Sequence, residues 1–239
     1  MVDSLTNWWE LAGVDTIVCD NSVDWLALDL KAEEVARPVV EATAAKVSPE
    51  VPKPEWPLAI EPLKAAIAAR VDLPGNQYGT RSVVPAGPPT CEIMVISDFP
   101  EMDEMATRIL GSGMSGKLLH RMLASIGVDL NECYWTSLAF TAPASGEVPE
   151  RDIPELAAFV RHQVAMVKPS WIILLGTLAS SAILELQLMD ARQSLRDFNH
   201  DGAKVAVLTT FHPRTLIARP QLKAQAWKDL QMFSKGNIL

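Results

Sequence analysis

The chain has 239 residues, 49% of them apolar, which suits one α/β domain with a genuine core and an N-terminal extension. No apolar run approaches the roughly 18–20 residues of a membrane span. The acidic N-terminus lacks the basic stretch of a secretory signal, so a cytoplasmic protein with no membrane contact is expected. Net charge is −8, with 7 Lys+Arg against 13 Asp+Glu in residues 1–90 and 14 against 16 beyond. The basic footprint of a tight nucleic-acid binder is therefore missing, although residues such as Arg192, Arg196, Arg214 and Arg219 could still form a local basic face.

In chain order, Leu5, Trp8, Trp9 and Ala12 stand at helical spacing before Gly13, a C-cap residue. Residues 20–46 read as an acidic helix, and the proline-rich stretch 47–57 reads as a linker. Residues 1–57 thus form a helical extension, suited by its acidity to a protein partner, and residues 58–239 form the α/β domain. A helix is predicted over 58–70, then Pro- and Gly-rich loops over 72–90. From there apolar runs alternate with amphipathic stretches. Strands are predicted at 92–97, 134–139, 171–175 and 204–210, and helices at 102–110, 113–126, 152–167, 177–187 and 221–234. Such alternation predicts a three-layer α/β/α fold around a central four-stranded parallel sheet. Ligands of such sheets bind beyond the C-terminal strand ends, which brings together residues 97–104, 137–143, 176–179 and 210–214.

Other chemistries find no support. Cys19, Cys91 and Cys133 contain no C-x-x-C pair, which argues against a disulfide framework and for core thiols. His120, His162, His200 and His212 show no metal-ligand spacing, and no metal is expected. The glycine-rich stretch at residues 111–116 lacks a Walker Gly-Lys-Ser/Thr and follows a helix, so it reads as a close-packing element or a DNA-backbone approach. No serine lies in a G-x-S-x-G context.

Five ordered segments resemble the uracil-DNA glycosylase superfamily, most closely its bacterial family 4 type. Ser97-Asp98-Phe99-Pro100-Glu101 is similar to that family's Gly-Glu-Ala-Pro-Gly loop. Gly113-Met114-Ser115-Gly116, followed by Leu118 and Leu119, resembles its glycine-rich loop and helix. Tyr134-Trp135-Thr136-Ser137 resembles Tyr-x-Thr-Asn, and Lys168-Pro169 with Gly176 and Ala179 resembles K-P-x-x-x-x-x-L-G-x-x-A. Thr210-Phe211-His212-Pro213-Arg214 resembles Thr-aromatic-His-Pro-Ser. A trailing helix carries Lys223, Trp227, Asp229 and Leu230 in the K-x-x-x-W-x-D-L pattern, and Thr80-Arg81-Ser82-Val83 resembles an upstream Arg-Thr-x-x-V stretch.

The resemblance implies DNA base excision by hydrolysis of the N-glycosidic bond of uracil or another damaged base. That chemistry wants a carboxylate for the water and the oxocarbenium-like sugar, a donor at the uracil oxygen, and a pocket that stacks and reads the flipped base. Asp98 stands at the family's carboxylate position, one methylene shorter; an Asp there also reads as a turn or helix cap. His212 stands at the electrophilic histidine, or reads as a strand-end histidine without catalytic role. The base-stacking Phe falls at Gly111, and Phe99 is the nearby substitute or else a core residue. The uracil-reading Asn is Ser137, which lacks an amide's paired donor and acceptor. Arg214 replaces a Ser near the DNA backbone and reads as a phosphate ligand or as a surface ion pair. Arg196 falls at an Arg-Gly pair, with Asp197 in place of the glycine.

The four cysteines of the family's iron–sulfur cluster should fall near Ala68, Val71, Thr141 and Leu156, none of which is a cysteine. A cluster needs thiolates at fixed places, so no cofactor is expected, and apolar packing must hold the loop instead. Two functional readings remain open. One is a glycosylase acting on uracil-containing or single-stranded DNA through Asp98 and His212. The other is a catalytically inactive glycosylase-fold protein that binds a protein partner or DNA.

Overall fold

Two apolar faces are written into each buried strand, and they fix the layers. The computed structural model describes residues 56–200 and 203–236, and the expected extension helices lie outside them. In β1 (Ile93–Ser97), Met94 and Ile96 enter one core while Val95 enters the other. In β3 (Trp171–Leu175), Ile172 and Leu174 face the first core, and Trp171, Ile173 and Leu175 the second. Side chains alternate across a strand, so a fully apolar strand needs cover on both sides. β2 (Tyr134–Ser137) and β5 (Ala203–Thr210) complete the parallel set, in register Met94↔Tyr134, Met94↔Ile172 and Ile172↔Val207.

The four parallel strands expected from the sequence are all present, but the sheet has five strands, in the order β2-β1-β3-β5-β4. The addition is β4 (Arg196–His200), antiparallel to β5. Its residues are nearly all polar, and Phe198 is its buried apolar residue. A polar edge strand is a common protection against further pairing, and it leaves almost no hydrophobic pattern to read.

The first face is covered by α1 (Ile60–Ala68), α4 (Ile153–Val167) and α5 (Thr177–Leu184), with Leu156, Val160 and Val164 at i, i+4, i+8 against the sheet. The second face is covered by α3 (Met114–Ala124) and α8 (Lys223–Gly236), through Leu119, Leu123, Leu230 and Phe233. Shorter helices α2 (Met102–Thr107), α6 (Leu188–Ala191) and α7 (Pro213–Ala218) flank the strand ends. Cys91 and Cys133 are free thiols, and burial pushes Cys133 up to about 12, so it packs as an inert core residue. Among the described residues no helix is long and apolar enough to cross a membrane.

The glycine-rich stretch works as a packing joint. A Cβ on Gly116 would stand 2.1 Å from the Cα of Gly111, so the first turn of α3 meets that loop backbone to backbone. Gly116→Ala should therefore destabilise the domain by about 1–3 kcal/mol, the range for overpacking, despite alanine's better helix propensity. Urea unfolding would measure this, and a neutral or stabilising result would contradict it.

The four positions singled out for cluster cysteines do not fit an iron–sulfur cluster. Ala68 and Val71 are exposed, Leu156 is buried in the first core, and no thiol stands at any of them. At the remaining one, Thr141 donates its hydroxyl to the Gly75 carbonyl at 2.9 Å and accepts from the Tyr78 amide at 3.1 Å. The region is fastened by Leu63, Ile67 and Leu73 packed on Phe140 and Phe159. Arg70 adds a second fastening, donating to the carbonyls of Gly79 at 2.6 Å and Thr80 at 2.7 Å.

Candidate active site

Parallel strands deliver their C-terminal ends to one edge of a sheet, and the groups expected there arrive together. β1 runs out at Ser97, and the amides of Leu138 and Ala139 donate to the carbonyls of Ser97 and Asp98, each at 3.0 Å, holding the Asp98 backbone beside β2. β3 turns into α5 at Gly176, whose φ of +92° suits glycine. A Cβ there would stand 3.2 Å from the Cβ of His212, so the missing side chain lets the two segments approach. β5 ends at Thr210, and His212 opens α7 as its N-cap, with Pro213 in the first helical position.

His212 is 7% exposed. Its Nδ1 accepts the backbone N–H of Arg214 at 3.2 Å, which assigns the proton of the neutral ring to Nε2. Burial holds its pKa below the ordinary imidazole value; the neighbouring Asp98 carboxylate opposes that shift, and the Arg214 guanidinium adds to it. Nε2 stands 3.6 Å from Oδ1 of Asp98, and Nδ1 stands 3.9 Å from Oε1 of Glu101.

Asp98 is 5% exposed. Oδ1 accepts from the amide of Phe99 at 2.8 Å, and Oδ2 is ion-paired with the guanidinium of Arg214. The helix cap weighed for this residue falls instead to Glu101, while Asp98 takes the amide of the next residue and faces His212. Arg214 also lies over the ring of Phe99, with its guanidinium carbon 4.8 Å from the ring centre. Its expected surface ion pair is thus a pair with the site carboxylate. Asp98, Phe99, His212 and Arg214 line one open cavity of about 540 Å³, whose rim includes Arg219 and Glu147.

Ser137 is the exception. It is fully buried, does not line this cavity, and its Oγ has no hydrogen-bond partner among the described residues. Of the arginines expected to form a basic face, Arg214 and Arg219 line the cavity. Arg192 is buried, its Nε donating to Asp229 Oδ2 at 2.8 Å, and Arg196 donates to the Asp190 carbonyl at 2.9 Å.

Two features escaped the sequence reading. Glu101 closes a reciprocal capping box with Glu104 at the start of α2, and its buried Oε1, lacking a partner among the described residues, is the oxygen facing His212. The spacing Glu101-x-x-Glu104 was the available signal. Behind the strand end, Asp229 accepts from Thr210 Oγ1 at 2.8 Å and from Arg192, whose guanidinium lies 3.8 Å from the ring centre of Phe211. Asp229 was legible as a motif residue, whereas nothing in the sequence marked Arg192 as its partner.

Residues 84–231, more than half of the chain, match the family model described as the uracil DNA glycosylase superfamily. A protein of Pyrobaculum aerophilum named type-4 uracil-DNA glycosylase is 26% identical over 172 residues, covering 69% of this chain and 88% of its own. One of the same name from Archaeoglobus fulgidus is 26% identical over 163 residues, covering 65% of this chain and 82% of its own.

Proposed function

Because the chain belongs to the uracil-DNA glycosylase superfamily, we propose that it excises uracil or another damaged base from DNA by hydrolysing the N-glycosidic bond. The observation that carries this reading is the meeting of Asp98 and His212, two buried groups from different strand ends 3.6 Å apart on one cavity.

As the bond breaks, its electron pair moves onto the base and positive charge develops on the sugar. Neutral His212, carrying its proton on Nε2, donates to the base oxygen that takes up the charge. A preorganised donor of this kind contributes about 100–1000-fold. Asp98 faces the developing cation and orients the water. The water oxygen bonds to the sugar carbon, and its proton leaves through the carboxylate to solvent. Phe99 lines the cavity, and its ring is available there to a flipped base. Abasic-site formation in single- and double-stranded oligonucleotides carrying one uracil tests the reading. No product at high enzyme concentration and long times from folded protein would end it for uracil.

A second reading, a glycosylase-fold protein that holds DNA or a protein without cutting, draws on one observation. The base-reading position is Ser137, buried away from the cavity. A site built on hydrogen bonds to its substrate loses both affinity and selectivity without them.

The pH dependence follows from His212. Its pKa is depressed in the folded protein, so the ring stays neutral below the ordinary imidazole range, and as pH falls through the depressed value a proton on Nδ1 removes the acceptor of the Arg214 amide that orients the ring. The acid limb of kcat/KM should therefore lie below about pH 6.5. A limb above that value would contradict a buried neutral imidazole.

A further inference from the structure

The ion pair between Arg214 and Asp98 is at odds with a carboxylate that must serve water and sugar. We propose that Arg214 is a phosphate-operated latch: in the resting site its guanidinium holds Asp98, and a DNA phosphate that recruits the guanidinium releases the carboxylate to the substrate. The inference rests on the DNA-glycosylase reading above and adds a rule for when its site becomes competent.

The geometry supplies both positions of the latch. The Asp98 side chain is 7% exposed and that of Arg214 35%, so the carboxylate is fixed inside while the cation reaches the cavity. Among the described residues Asp98 supplies the guanidinium's hydrogen-bond acceptor, and the Phe99 ring gives the planar group a surface to turn on. A guanidinium binds phosphate in the same forked manner as carboxylate, and phosphates line the DNA backbone wherever a base is flipped.

Withdrawing a cation from a buried carboxylate has a cost unless another replaces it. The positive charge that develops on the sugar is the replacement, and the His212 ring, with Nε2 3.6 Å from Asp98 Oδ1, stands close enough to register the change. The charged groups facing its ring are Asp98 and Glu101 from the loop after β1 and Arg214 from α7, with Glu104 behind Glu101; the β3–α5 turn brings Gly176, which carries none. Of these only Arg214 is positive. Its departure leaves the imidazole among carboxylates, and the ring must then hold its proton more tightly.

The test is a pH titration of the His212 ring by NMR in histidine-labelled protein, free and saturated with a short single-stranded oligonucleotide carrying a tetrahydrofuran abasic analogue. Binding is followed by fluorescence anisotropy, and Arg214→Gln is studied beside the wild type. The latch predicts that wild-type His212 titrates at higher pH on DNA, that free Arg214→Gln already titrates higher, and that DNA then moves the variant less than the wild type. The slope of log affinity against log salt should also fall by about 0.7–0.9 in the variant, as for one lost phosphate contact. A wild-type ring that moves no more on DNA than the variant's overturns the latch while leaving base excision to the uracil assay. The predicted titration without excision leaves the latch standing and removes the repair reading. A protein that binds no oligonucleotide overturns both.

Discussion

Asp229→Ala lowers the unfolding free energy by about 3–5 kcal/mol, because it strands a buried cation. Asp229 is 3% exposed and Arg192 8%, and the carboxylate receives Nε at 2.8 Å and the second terminal nitrogen at 3.0 Å. Burial raises the Asp229 pKa, and the hydrogen bonds from Arg192 and Thr210 oppose that. Alanine would leave both of those partners unmatched. A loss of that size is a large part of the about 5–15 kcal/mol available to a domain. Urea denaturation measures it, and the double variant Arg192→Met with Asp229→Leu should recover part of the loss, since an apolar pair leaves no buried charge unmatched, while the buried Thr210 hydroxyl still loses its acceptor. The single variant unfolding like the wild type would mean that the pair contributes nothing. Activity should fall as well at temperatures where the variant is still folded, because the clamp holds Thr210 and Phe211 immediately before His212.

The second large effect is on the reaction. His212→Ala and Asp98→Asn should each slow base excision by about 100- to 10,000-fold. Alanine keeps the Cβ that packs at Gly176 and removes the donor, so the fold survives while the leaving base loses its hydrogen bond. Asparagine retains the size of Asp98 and can still accept the Phe99 amide, but it carries no charge for the sugar cation. Single-turnover cleavage of a uracil oligonucleotide, with unfolding curves as controls, reads the effect. Rates equal to the wild type would remove both residues from the chemistry.

The parallel strands were legible because each is apolar on both faces, a pattern that few other elements share. Trp171–Leu175 is completely buried and was read to the residue. β4 was not legible, since Phe198 alone gives no periodicity. At the site, Asp98 and His212 could be located because strand ends of one parallel sheet must share an edge, whatever the loops do. Ser137 could be assigned to the same edge, but a strand position does not say which way its side chain faces, and this one turns into the core. The Arg192–Asp229 pair joins residues 37 apart through side chains alone, and sequence periodicity carries no trace of such a pairing.

The joint between Gly111 and α3 also narrows the routes by which position 111 can change. A Cβ on Gly111 would lie 2.6 Å from Cζ3 of Trp135, and its φ of +77° disfavours any other residue. A ring at 111, where the family's base-stacking Phe falls, therefore cannot be installed in one step. Trp135 would have to shrink first, and truncating a buried tryptophan costs about 3–5 kcal/mol. Each half of the exchange is harmful without the other, so the two sites are epistatic. Selection or design acting on single substitutions will instead work from Phe99, which already lines the cavity of Asp98 and His212.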